Sequence, residues 1–152
     1  MSGDGNGWVH CTLGHRHWGR FGAAGVLLTD GDRVMLQHRA PWTHEGGTWA
    51  VPGGARDSHE DAVTAALREA VEETTLDPSA VVPFGEWIDD HGVWSYTTVL
   101  AHAAPSVRVE PANAECLAVQ WWPVDAVAGL ALHAGFAAAW PQLRALIVSR
   151  AG

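Results

Sequence analysis

Glu69, Glu72 and Glu73 close a stretch whose apolar residues, Ala62, Val63, Ala66, Leu67 and Ala70, recur at helical spacing. At ~100° of rotation per residue, the three carboxylates share an arc of roughly 100° that flanks the apolar stripe. They also crowd the C-terminal end of that helix, where the backbone dipole is negative and acidic side chains are disfavoured. Like charges held together there call for a cation. A solvated acidic face would intersperse bases at i,i+4, but the chain has no lysine, and Arg68 is the one base beside the cluster. Oxygen ligands without Cys or His suit Mg²⁺ or Mn²⁺, which keep several waters and share their shell with phosphate oxygens. The lead-in Trp49-Ala50-Val51-Pro52-Gly53-Gly54 places glycines where a backbone carbonyl, that of Gly54, can reach the same ion.

Several elements must position this cluster. Ser58, followed three residues later by Asp61, predicts a capping-box-like start to the helix. Before it, residues 21–29 and 33–39 read as two strands joined by a turn at Asp30-Gly31-Asp32, and residues 40–48 as a mostly polar loop. After it, Asp77-Pro78 interrupts the chain. Residues 81–88 and 93–102 read as a hairpin, residues 115–122 as a further strand, and residues 135–149 as a closing helix with Phe136, Trp140, Leu143 and Ile147 on one face. Residues 1–19 are rich in Gly, His and Trp without a clean period. They read as an N-terminal extension to a single domain spanning 20–152.

Composition narrows the classes of function. At 152 residues and 47% hydrophobic, the chain can bury one core and is short for two domains. A net charge of −8 argues against a broad surface for nucleic-acid polymers or anionic membranes, but not against a small phosphorylated ligand. No signal peptide is read in Met-Ser-Gly-Asp-Gly-Asn, and no apolar run reaches the ~18 residues of a membrane span. Cys11 and Cys116 form no disulfide framework, which fits a reducing cytoplasm. Cys11, His15 and His17, with His10 nearby, lack a fourth ligand at standard spacing, so no structural zinc is expected there. Arginine without lysine, with abundant Ala, Gly and Trp, points to a GC-rich bacterial source.

Gly54, five residues, Glu60, seven residues, Arg68-Glu69, Ala70 in an aliphatic position, any residue, Glu72-Glu73 and finally Leu76 form one gapped pattern. It resembles the signature of the Nudix hydrolases. The Trp-Ala-Val-Pro-Gly-Gly lead-in, Arg39 on the preceding strand and Trp121-Trp122-Pro123-Val124-Asp125 are similar as well, so the resemblance spans roughly residues 20–127. Thr75 departs from it, standing where the family has a glycine that closes the helix, often at positive φ. A changed helix exit is expected, with the metal ligands intact.

The resemblance implies an α/β fold, a Nudix-type α/β/α sandwich with a mixed central sheet. It also implies a pyrophosphohydrolase, dependent on Mg²⁺ or Mn²⁺, that cleaves a nucleoside diphosphate linked to another group. Gly54, Glu69, Glu72 and Glu73 would hold the metal, with Gly53 and Glu60 as further motif residues. The ion would neutralise phosphate oxygens and lower the pKa of a water. Glu69 is one candidate base by resemblance, and Glu115, at the start of a strand, is the candidate outside the motif. Arg68 is expected to orient the glutamates, Arg39 to contact phosphate, and Trp42, Trp94 or Trp121 to stack on a base. The substrate expected is a nucleoside triphosphate or its oxidised form, with ADP-ribose or a nucleotide sugar as the alternative. A non-catalytic nucleotide sensor would have had no need of the full Glu set, and a structural Ca²⁺ protein would carry an Asp-rich loop. A small nucleotide is the expected partner, and a homodimer is compatible with the sequence.

Overall fold

The computed structural model describes residues 4–10, 16–43, 45–114 and 116–151. Its architecture is built on β3 (Ala23–Thr29), every residue of which is buried. Ala24, Val26 and Leu28 belong to one hydrophobic cluster and Leu27 to the other, so alternate side chains feed two cores on opposite faces. A strand covered on both faces has no wet side to mark with polar residues, which is why this segment reads as a continuous apolar run.

β4 (Arg33–Arg39), β5 (Trp49–Ala50), β6 (Gly53–Ala55), β7 (Val81–Asp90), β8 (Ser95–Ala103) and β9 (Cys116–Pro123) complete a seven-stranded sheet. Its path runs β5-β4-β3-β8-β7, with β6 paired to β3 and β9 to β4. β3 and β8 are parallel and the remaining pairs antiparallel, so the sheet is mixed, as expected. α1 (Ala62–Glu73) covers one face and α2 (Ala134–Ala151) lies on the other. Ala65, Ala66 and Ala70 are the buried residues of α1, and such small side chains bring the helix close to the sheet. Phe136, Trp140, Leu143 and Ile147 of α2 join Leu27, Leu36 and Leu100 in the second core. The α/β/α sandwich follows from these two apolar helix faces closing on the buried central strands of the sheet.

Both ends of α1 differ from the expectation. The N-cap is Asp61, whose carboxylate accepts the Thr64 N–H at 2.7 Å, and not Ser58. Ser58 is drawn away, its N–H and hydroxyl both bonded to the Asp4 carboxylate. The C-cap is Thr74, extended at φ −138°, whose hydroxyl donates to the Ala70 carbonyl at 2.6 Å. Thr75 then exchanges hydrogen bonds with Glu110: its N–H donates to the Glu110 carbonyl at 2.8 Å, and its hydroxyl accepts the Glu110 N–H at 2.9 Å. The helix therefore leaves by an extended exit that suits β-branched residues, and no left-handed residue is used.

The loop after β4 is pinned rather than free. Glu45, at φ +52°, accepts the Ala134 N–H at the start of α2 at 2.8 Å and reaches His133 Nε2 at 2.9 Å. The N-terminal residues expected as an extension form β1 (Trp8–His10) and β2 (Arg16–Trp18), an antiparallel pair lying against the domain. Cys11 and His15 fall outside the described residues, and His17 stacks on Trp94 with ring centroids 4.1 Å apart.

Candidate active site

Arg68 is the hub of α1's polar face. Its guanidinium donates to both oxygens of Glu60 (2.7 and 2.8 Å), to the Ala55 carbonyl (3.0 Å), to Glu69 (3.0 Å) and to Glu72 (3.2 Å). Glu60 is buried, and the hydrogen bond from Arg68 holds its carboxyl below the usual range. Its second anchor is the Asp57 N–H at 3.0 Å. Arg68 thus ties the glycine loop, the segment before the helix and two motif glutamates into one rigid unit.

Glu69 and Glu73 sit in a different electrostatic setting. Burial raises the Glu69 carboxyl above its ordinary range, and the neighbouring Glu72 adds to the shift. Burial likewise pushes Glu73 up to about 8, with repulsion from Glu69 next, opposed by the Gly53 N–H, Gln37 and Arg39. The Gly53 N–H lies 3.2 Å from Glu73 Oε2. Crowded, desolvated carboxylates with raised pKa values are short of positive charge, which fits a cation ligand set.

The glycines of the loop are there because of what faces them. A Cβ on Gly54 would stand 2.5 Å from the Glu69 carboxyl carbon, and one on Gly53 would stand 2.5 Å from the Tyr96 hydroxyl and 2.6 Å from the Ala24 carbonyl. Tyr96 lies beneath the loop, its hydroxyl pushed up mainly by burial.

Among the described residues, Asp57, His59 and Glu60 are the group of three potential ligands whose atoms come within 4.8 Å of one another. Their charges are already answered. Both Glu60 oxygens bind Arg68, and Asp57 stands 3.7 Å from the same guanidinium while accepting the Gly5 N–H. Glu69 and Glu72 share that guanidinium too, but Glu69 and Glu73 keep raised carboxyl pKa values and line one cavity with Glu72, so this set suits a metal better.

Two cavities share Glu73 and Arg39. One, of about 370 Å³, is lined by Gly53, Gly54, Arg68, Glu69, Glu72 and Glu73, with Asn6 and Trp18 from the N-terminal segment. The other, of about 310 Å³, is lined by Gln37, Arg39, Trp42, Thr43, Glu73, Asn113 and Cys116. The β4–β9 register shifts between His38 and Arg39, and such a bulge re-aims the side chain at that position. The sheet and α1 therefore bring together Arg39, Gly53, Gly54, Arg68, Glu69, Glu72 and Glu73, while Trp42 stands at the edge, largely exposed.

Trp94 and Trp121 are placed elsewhere. The Trp94 indole stacks on His17 and donates to the Trp18 carbonyl at 3.2 Å, and Trp121 packs on the first core beneath the Arg33 guanidinium. Neither lines either of these two cavities. Glu115 falls outside the described residues, although its neighbours Asn113 and Cys116 line the second cavity. Burial pushes the Cys116 thiol up to about 11, which favours the protonated form at neutral pH.

Gln37 and Tyr96 were not anticipated. Gln37 is buried on β4 with its Oε1 unpartnered beside the second cavity. A lone amide in the otherwise apolar run Val34-Met35-Leu36-Gln37 was its signal. Tyr96 had none, since a tyrosine on a buried strand reads as core.

A mixed sheet between two helices, with a Glu-bearing helix end beside a glycine loop, defines an α/β/α domain with an acidic cleft. The NUDIX domain profile matches residues 19–146, and the chain belongs to the Nudix family, whose members hydrolyse pyrophosphate bonds. A Mycobacterium tuberculosis protein named "Putative 8-oxo-dGTP diphosphatase 3" is 47% identical over 156 residues, covering 95% of this chain and 71% of that protein. A nucleoside triphosphate pyrophosphatase/Nudix hydrolase fusion protein of Bifidobacterium longum is 41% identical over 150 residues. There the match covers 93% of this chain but 31% of the fusion, so this chain spans about a third of that relative. The crystal structure of the Nudix hydrolase RenU from M. smegmatis superposes with a TM-score of 0.87 at 44% identity, over 95% of this chain and 96% of that one. Among the described residues, no helix is long and apolar enough to cross a membrane.

Proposed function

We propose that this chain is a divalent-metal-dependent pyrophosphohydrolase of a nucleoside triphosphate or an oxidised nucleotide, acting in the cytoplasm through a single domain over residues 20–152. The observation that carries the reading is one cleft lined by Glu69, Glu72, Glu73 and the Gly53–Gly54 loop, with Arg39 at its junction with a second cavity. The name of the M. tuberculosis relative supports an oxidised purine nucleotide as the substrate class. Glu69, Glu72, Glu73 and the Gly54 carbonyl would hold Mg²⁺ or Mn²⁺. When bound, such an ion neutralises phosphate oxygens and makes a water a better nucleophile.

The chain's own residues do the rest. Arg68 fixes the carboxylates so that little reorganisation accompanies charge development, which makes it a positioning residue. Arg39 neutralises a phosphate oxygen where the two cavities meet. Glu69, whose carboxyl is raised above its ordinary range by burial, takes the proton of the attacking water, and Glu115 is the second candidate for that step. Trp42 flanks the nucleotide at the edge of the second cavity.

The test is turnover of a nucleotide panel with and without Mg²⁺, reading released pyrophosphate or phosphate, followed by Glu69→Gln and Glu115→Gln on the best substrate. Mg²⁺-dependent cleavage of a nucleoside triphosphate or its 8-oxo form is expected. A clear preference for ADP-ribose or a nucleotide sugar would replace the substrate assignment, and nucleotide binding without turnover would make the chain a sensor.

A further inference from the structure

We propose that the N-terminal hairpin is a wall of the substrate site, and that Trp18 stacks on the planar base of the substrate with the Asn6 amide beside it. This rests on the pyrophosphohydrolase reading above. Both residues line the acidic cleft, and both precede the stretch that matches the family, residues 19–146.

The segment leading into the hairpin is fastened to the site through Asp4 and Gly5. The buried Gly5 N–H donates to Asp57 Oδ1 at 2.9 Å, and the Asp4 carboxylate accepts the Ser58 N–H and hydroxyl. Asp57 is the same carboxylate that stands beside Arg68, so the hairpin anchors on the unit that holds the glutamates. The approach is close: a Cβ on Gly5 would lie 2.0 Å from the Arg56 carbonyl oxygen. From the other side, Arg20 N–H donates to the Gly5 carbonyl and Gly19 N–H to the Gly7 carbonyl, each at 2.7 Å, and the Trp94 indole N–H donates to the Trp18 carbonyl at 3.2 Å.

None of these bonds uses the Trp18 side chain. Its indole meets Trp8 edge-on at 5.1 Å, and the Arg16 guanidinium lies over the Trp8 ring at 4.1 Å. Trp18 as a residue is 44% exposed, and it lines the cleft. An indole held at fixed backbone geometry beside a polyanion site offers a flat surface to any nucleobase, and an amide alongside offers a donor and an acceptor. A phosphate chain without a base has no planar group to stack on the indole.

The experiment uses the full chain with Trp18→Ala, Trp18→Phe and Gly5→Val. It reads KM for the nucleotide preferred by the wild type and the inhibition constant of inorganic tripolyphosphate, which carries the phosphates without a base. Trp18→Ala is expected to raise KM roughly tenfold or more, the scale of one lost base stack, with the inhibition constant moving less than about twofold. Trp18→Phe should restore most of the loss. Gly5→Val, which pushes the hairpin off the Arg56 carbonyl, should repeat the selective loss and reads the same point should Trp18→Ala fold poorly. An unchanged KM in Trp18→Ala and Gly5→Val, or equal weakening of nucleotide and tripolyphosphate, overturns the proposal and makes the hairpin a structural cover. A wild type that neither binds nor cleaves any base-bearing diphosphate overturns the proposed function as well. Normal wild-type turnover without the selective loss overturns the hairpin assignment alone.

Discussion

Replacing Glu73 with Gln separates a carboxylate that serves a metal from one that serves the fold. The folded-state pKa of Glu73 is raised from 4.5 to about 8, chiefly by burial. A raised carboxyl pKa means that the folded state prefers the protonated form. The associated stability is complete below the unfolded value, and is lost as pH rises from there through the folded value. At ~1.4 kcal/mol per pKa unit, ionising the unfolded chain's Glu73 but not the folded one's gives a ceiling of about 3.4 kcal/mol at pH 7. Water in the open cleft screens part of this, so about 1–2 kcal/mol is expected. Gln resembles the protonated acid and has no such penalty. In EDTA, Glu73→Gln should therefore match the wild type near pH 4.5, exceed its stability by that amount at pH 7, and stop gaining above about pH 8.

With Mg²⁺ the order reverses. The wild type gains a ligand charge that the variant lacks, and turnover of the variant should fall at least ~100-fold, the upper end of what a changed outer-shell partner of a metal costs. The assays are denaturant unfolding in EDTA at three pH values and turnover on the nucleotide identified by the panel. A stability difference that is flat with pH would refute the electrostatic reasoning. Near-normal turnover would refute the assignment of Glu73 to the metal.

Other outcomes follow from the same geometry. Arg68→Ala leaves the buried Glu60 carboxylate without its counter-charge and should destabilise the chain by roughly 3 kcal/mol in urea unfolding, with Glu60→Gln costing less activity than Glu73→Gln. Gly53→Ala meets the Ala24 backbone and the Tyr96 hydroxyl and should cost about 1–3 kcal/mol, whereas Gly54→Ala meets the carboxylate at the far end of the Glu69 side chain and no backbone among its nearest atoms. Gly54→Ala should thus keep its melting temperature while losing turnover, and circular dichroism melts beside activity would separate the two. Saturating Mg²⁺ should stabilise the wild type by about 2.7 kcal/mol at a hundredfold excess over Kd, seen as a raised melting temperature. No shift at millimolar metal would count against the cluster as a metal site.

What the sequence by itself determined about this protein is what can be written as a local period. The alanine stripe and the Glu69, Glu72 and Glu73 arc are intervals along one helix, so α1 and the face carrying its carboxylates were legible before any contact was known. The runs at residues 21–29 and 33–39 were likewise legible as strands, and the structure then showed β3 buried throughout. The family followed from the same register of Gly54, Glu60, Arg68 and the glutamates.

Tertiary structure decided which distant residues meet. Asp61 caps the helix because Asp4, more than fifty positions earlier, takes Ser58 away. Thr75 is tolerated because Glu110 pairs with it across an extended exit. Trp94 and Trp121 leave the cleft for His17 and Arg33, while Trp18 enters it from a segment that read as an extension. Gln37 and Tyr96 gain their places beside Glu73 and under the glycine loop from sheet register alone. A helix repeats every ~3.6 residues and so encodes its own faces, but no local period encodes which strand lies next to which. Burial set by that pairing then raised the Glu73 pKa, turning a motif position into a charge that a bound cation would answer.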